Sequence, residues 1–169
     1  MPTTADEIYR AHPDQSEIDD VLSQRLTTAL GTLNEDGSIH LTYLLFLYEN
    51  GRFYLETASS TRKARNVAAR GVASLLIHGS AANGRSLMVS CEGTARLVEV
   101  PEAHAVNHRV RAKYLLPDAV EGIDATWGRF DDVSIEVTPS RWRSWTGDVL
   151  AATTEAALGR PYGEIWQPD

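Results

Sequence analysis

Residues 32–66 read "TLNEDGSIHLTYLLFLYENGRFYLETASSTRKARN", and two turn signals and a helix start divide this stretch. "NEDGS" (34–38) is a turn in which Gly37 supplies the backbone angle that other residues avoid. "IHLTYLLFLY" (39–48) reads as one long, mostly apolar strand. "ENG" (49–51) turns again, and "RFYLET" (52–57) is a further strand. With "TTALGTL" (27–33) ahead of it, the stretch predicts a three-stranded antiparallel meander. "TASSTRKARN" (57–66) then opens a helix over residues 60–70, which stops at Gly71.

Upstream, "SEIDDVLSQRL" (16–26) has the pattern of a short amphipathic helix with Ser16 as N-cap. Downstream, "VASLLIHG" (72–79) is a fourth strand. "SLMVSCEGTARLVEV" (86–100) is a fifth, bent at Gly93. Pro101 opens a helix through Tyr114, and "LPDAVEGIDATWG" is a second helical or loop segment. "DDVSIEVTP" (131–139) is a sixth strand ended by Pro139, and "SRWRSWTGDVL" leads into a tail. Six such strands are best satisfied as a closed or nearly closed barrel with helices attached, in one domain spanning 1–169. No GxGxxG or P-loop pattern supports a nucleotide-binding α/β sheet.

Composition narrows the function classes. The 169 residues carry 23 acidic and 16 basic side chains, a net charge of −7. That balance opposes a general nucleic-acid binder, though not a small basic pocket. The single cysteine, Cys91, rules out an internal disulfide and reads as core filler within "LMVSCEG". The N-terminal "MPTTADEIYRAHPDQ" is polar and acidic, unlike a signal peptide, and the apolar runs are too short for a bilayer span. A cytoplasmic location with no membrane partner is expected.

"TASSTRKARN" carries a local conflict. Cations at a helix N-terminus oppose the dipole, so a helix built only for stability avoids them. A strand-to-helix junction is also a natural anion site, because the first N–H groups of the helix lack partners. Thr57, Ser59, Ser60 and Thr61 offer hydroxyls, Arg62 a planar fork and Lys63 a point charge. These features point to a bound phosphate, with capping hydroxyls and solvated cations as the alternative reading of the stretch alone.

Here the sequence resembles the flavin split-barrel superfamily, which includes the pyridoxamine 5′-phosphate oxidases. "YLETASSTRKARN" is similar to that family's phosphate-binding turn. The "NEDGSIH" hairpin, "GRSLMVSCEGTARLV" with its mid-strand glycine, and "VTPSRWRSW" with Pro139, Arg141 and Trp145 follow in the family's order. The resemblance covers residues 16–147. It implies a six-stranded antiparallel split β-barrel of the FMN-binding type, forming a homodimer with cofactor across the interface. By carry-over, Thr57, Ser60, Thr61, Arg62 and Lys63 would hold the cofactor phosphate. Thr42 and Tyr43 would lie beside the ring, bordered by Trp145 and by Ser86 of the second copy. The tail, 148–169, would pack on the barrel or on the partner.

The departures bear on the reaction. The family's arginine and glutamine are Thr42 and Ser86 here, and its hairpin proline is Ile39. The substrate-phosphate motif after the tryptophan is absent, since the chain reads "TGDVLAATTEA". Vitamin B6 oxidation is therefore not expected. The resemblance instead implies an oxidoreductase that uses FMN to move hydride to or from a small organic substrate. The deazaflavin F420 is the alternative cofactor, and haem or flavin binding without catalysis is the alternative of another class. His40, His78, Tyr43 and Tyr48 are candidate proton donors. Arg65, Arg70 and Arg85 are candidate partners for the F420 tail. His104 and His108 have the i, i+4 spacing of a zinc pair, but "HAVNH" lacks the HExxH glutamate and a third ligand, so no metal site is expected.

Overall fold

A computed structural model describes residues 13–127 and 132–167. Residues 1–12, 128–131, which include the expected start of the last strand, and 168–169 lie outside the described residues. The "NEDGS" turn closes as its residues dictate. The Asn34 N–H donates to the Ser38 carbonyl at 2.8 Å, and Gly37 has φ +83°. It joins β1 (Thr27–Leu33) to β2 (Ile39–Leu45) in antiparallel register, from Leu33 opposite Ile39 to Thr27 opposite Leu45. Asn50 and Gly51, both with positive φ, close the second hairpin between β3 (Leu47–Glu49) and β4 (Arg52–Ala58).

The expected meander breaks at Phe46. This residue is fully buried, and its backbone leaves the sheet. Its N–H donates to the Tyr114 hydroxyl at 3.2 Å, and its carbonyl accepts from Tyr114 Oη and Lys113 Nζ at 2.8 and 3.2 Å. A helix thus satisfies the groups that a ladder would have paired. The run 39–48 becomes two strands, and seven strands stand where six were expected. Their order is β2-β1-β5-β6-β7-β4-β3. The mainly antiparallel sheet curls into a half-barrel that brings β2 back beside β4.

The remaining elements are α1 (Gln15–Ser23), α2 (Arg62–Arg70), β5 (Val72–Ser80), β6 (Ser86–Val98), α3 (Glu102–Tyr114), α4 (Pro117–Trp127), β7 (Asp132–Thr146) and α5 (Asp148–Leu158). Leu30, Phe53, Leu55, Leu75, Ile77, Leu87 and Ile135 fill the barrel with Phe46. Asp14, not Ser16, caps α1. Its carboxylate accepts from the Glu17 N–H at 3.0 Å, and Glu17 returns the bond to the Asp14 N–H at 2.9 Å.

Pro139 does not end the last strand. β7 runs on to Thr146, with Pro139 opposite Gly93 where the β6–β7 register shifts. At a bulge the proline's missing N–H breaks no ladder bond. Gly93 is required there, because a Cβ would lie 2.2 Å from the Thr138 carbonyl oxygen. The "RWRSW" run is therefore strand, and the tail forms a helix followed by a 3₁₀ turn at Tyr162–Glu164.

Candidate functional site

β4 delivers Thr57 to the start of α2, where Thr61 is the N-cap. The two hydroxyl oxygens lie 3.0 Å apart. Thr61 Oγ1 donates to the Ala58 carbonyl at 2.8 Å and accepts from the Ala64 N–H at 3.4 Å. Its proton is committed to the turn, so it caps the helix and Thr57 donates toward it. The amide N–H groups of Arg62 and Lys63, first in the helix, have no intrahelical acceptor. Neither side chain forms an ion pair with another described residue. Arg62 is exposed and lies within electrostatic reach of Asp36. Lys63 is half-buried, and burial alone pushes its ammonium below the ordinary range. A phosphate dianion would relieve that cost and meet both amides and both cations, so this donor set fits the group. Ser60 is exposed, and its carbonyl accepts from Arg65. Asn66 pins α2 from below, donating to Thr32 Oγ1 at 3.1 Å and Asn34 Oδ1 at 2.8 Å.

A pocket of about 450 Å³ opens beside Thr57. Leu44, Leu45 and Trp127 form apolar walls, and Glu56 and Asp132 add carboxylates. Burial pushes the Glu56 carboxyl above its usual range, despite its hydrogen bonds from Arg111. Arg111 lies behind the pocket, its side chain only 5% exposed. Sequence reading missed this arginine. The available signal was position: Arg111 and Asn107 lie on the same α3 stripe as Ala103, Val106 and Val110, all of them buried.

The other expected residues fall in two groups. On β2, His40, Thr42 and Leu44 are partly covered, whereas Ile39, Leu41, Tyr43 and Leu45 point outward. Tyr43 is 75% exposed, and alternation places it on the opposite face from Thr42. Ser86 starts β6 and lies 2.9 Å from His78 Nε2 on the outer face. Trp145 pairs with Met88 at the far end of β7. Asp132, at the other end, pairs with Ala58 of the junction. Thirteen residues, about 40 Å of extended chain, separate the two ends. One chain does not bring Ser86 and Trp145 to Thr57.

Tyr48 packs with Phe53 and Trp142 as part of the core. His108 pairs with Asp124 at 2.5 Å. Arg85 joins Glu17 at 2.7 Å and Asp148 at 2.6 Å. Burial pushes the Cys91 thiol up to about 12, which suits a core side chain. Among the described residues no group of three or more His, Cys, Asp and Glu side chains is arranged to hold a metal, and no helix is long and apolar enough to cross a membrane.

Solved structures share this fold. A conserved hypothetical protein from Mycobacterium tuberculosis is 28% identical, with a TM-score of 0.69 over 83% of this chain and 91% of that one. An F420 reductase is 20% identical, with a TM-score of 0.56 over 78% and 98%. The haem storage protein of Vibrio cholerae is 15% identical, with a TM-score of 0.60 over 78% and 93%. No curated protein matches the chain. The family model described as pyridoxamine 5′-phosphate oxidase matches residues 15–146. With its half-barrel, its strand-to-helix junction and that match, the chain belongs to the pyridoxamine 5′-phosphate oxidase family.

Proposed function

We propose that this protein is an oxidoreductase that binds FMN between two copies of the chain and acts on a small organic substrate other than pyridoxamine phosphate. One observation carries the reading: two cations without ion-pair partners among the described residues, Arg62 and Lys63, stand with Thr57 at a helix N-terminus beside a largely apolar pocket. The first amides of α2, Arg62 and Lys63 hold the cofactor phosphate together with Thr57, whose hydroxyl turns from Thr61 to the anion on binding, and Ser60 lies at the rim. Thr61 serves by shaping the turn. Thr42 and Leu44 lie along the ring, and Trp127 and Leu45 exclude water. The bound flavin supplies the hydride chemistry.

The second copy completes the site. An apolar trough of about 810 Å³ crosses the outer face of the sheet, lined by residues that include Ile39, Leu41, Val72 and Leu76. Ile39, Leu41 and Tyr43 on β2 are 67%, 69% and 75% exposed, and together they form a patch larger than a lone chain commonly leaves to water. Docking two such faces buries Tyr43 in the interface and carries Ser86 and Trp145 to the partner's junction. α5 buries no residue within one chain, which supports its packing against the second copy.

F420 is the alternative cofactor, favoured by the likeness to an F420 reductase over nearly all of that chain. The absorbance spectrum of the purified protein separates flavin, deazaflavin and haem. A colourless protein that takes up none of them refutes the reading. Arg62→Ala with Lys63→Ala should weaken FMN binding at least about a hundredfold, since each charge-assisted bond contributes about 1.5–3 kcal/mol. Titration of flavin fluorescence measures this, and unchanged affinity removes the phosphate assignment.

A further inference from the structure

Arg111 touches three walls of the pocket, Glu56, Asp132 and Trp127, yet does not line the pocket itself. Its Nε donates to both oxygens of Glu56 at 3.0 Å. Nη1 donates to Asp124 at 2.5 Å, and Nη2 to Asp132 at 2.8 Å and to Glu56. Its Cζ lies 5.6 Å from the centre of the Trp127 ring. One guanidinium on α3 thus holds β4, α4 and β7 together. Glu56, Asp132 and Trp127 are pocket walls, and Asp124 is one turn before Trp127 on α4. α4 has little other anchorage: Val120 is its one buried residue, and His108 supplies a second bond to Asp124.

Stability alone is a weak reason for this cluster. Well-packed apolar side chains often replace a buried ion network without loss. What apolar packing does not supply is direction. A guanidinium presents its donors in a rigid planar fork, so carboxylates from three elements are held at set angles around one centre. The residue after Glu56 is Thr57, and Asp132 pairs with Ala58, so the fork governs where the strand enters the phosphate junction.

We propose that Arg111 is the positioning residue of this pocket, fixing the Trp127 wall relative to the Glu56–Thr57 strand and thereby the fit of the cofactor. The inference rests on the cofactor reading above for its consequence, but its structural half is testable without ligand. Arg111→Lys keeps the charge and loses the fork. In ligand-free protein it should raise hydrogen–deuterium exchange across 117–127 and 56–58, while β5 and β6 keep their protection. Its affinity for FMN should fall at least tenfold. Arg109→Lys, which alters an exposed pair with Glu49, is the control and should change neither.

Unchanged exchange in Arg111→Lys overturns the positioning role, whatever FMN does. Raised exchange with parental FMN affinity also overturns it, leaving a purely structural clasp. If the parent binds no FMN and the exchange change is confined to those segments, the cofactor reading falls and the wall positioning stands. A variant that loses protection throughout the barrel shows a general stabilising residue and refutes the proposal.

Discussion

Arg62 and Lys63 stand where a helix dipole repels them, and no described carboxylate pairs with them within bonding distance. That conflict was legible in ten consecutive residues, because every group involved is local. Arg111 was not, because its partners lie 55, 13 and 21 residues away in the chain. Lys113 makes the same point about burial. Its Nζ donates to the Leu22 and Phe46 carbonyls at 3.0 and 3.2 Å and lies 4.0 Å from the centre of the Phe46 ring. Burial lowers its pKa from the model-compound 10.5 to about 8. Between those values the unfolded chain binds the proton and the folded one does not, so folding stability rises with pH across that window. The gain approaches about 1.4 kcal/mol per pH unit. Lys113→Met should flatten this rise in denaturant titrations between pH 8 and 10. An equally steep rise in the variant assigns it to another group.

At the scale of elements, turns and helix stops were readable because glycine and proline act on their own neighbours. Gly37, Gly51 and Gly71 take positive φ where the sequence placed turns and the end of α2. Two boundaries were not readable. A run as apolar as 39–48 gives no local reason to break at Phe46; α3 imposes the break by capturing its backbone. Pro139 signals an end in isolation, yet the bulge at Gly93 lets the strand continue. Gly93 is where that bulge is most exposed to mutation. Gly93→Ala places a methyl against the Thr138 carbonyl, with no flexible side chain to yield. It should cost about 1–3 kcal/mol, read as a shift in the denaturation midpoint. A parental midpoint would mean that β6 and β7 separate freely there.

The whole molecule poses a problem of reach. The proposed phosphate junction and the pair Ser86 and Trp145 lie at opposite ends of β7, and the sheet's outer face carries the exposed Ile39, Leu41, Tyr43 and Leu76. The second copy proposed above resolves both features in one act, by covering the face and supplying the missing residues. Leu41→Glu places a charge on that face without touching the barrel core. It should leave the unfolding free energy of the single chain within about 0.5 kcal/mol. It should also shift sedimentation toward monomer and weaken FMN binding in step. A dimer that persists in Leu41→Glu excludes this face as the interface. The residue order alone determined the turns and the strand-to-helix junction ahead of α2, because each depends on chemistry within a few neighbouring positions, and it determined the family through the order of such motifs along the chain. Only the tertiary structure decided the break at Phe46, the course of β7 through Pro139 and the place of Arg111. Those depend on which distant groups satisfy a backbone bond or surround a buried charge, and no local pattern encodes that.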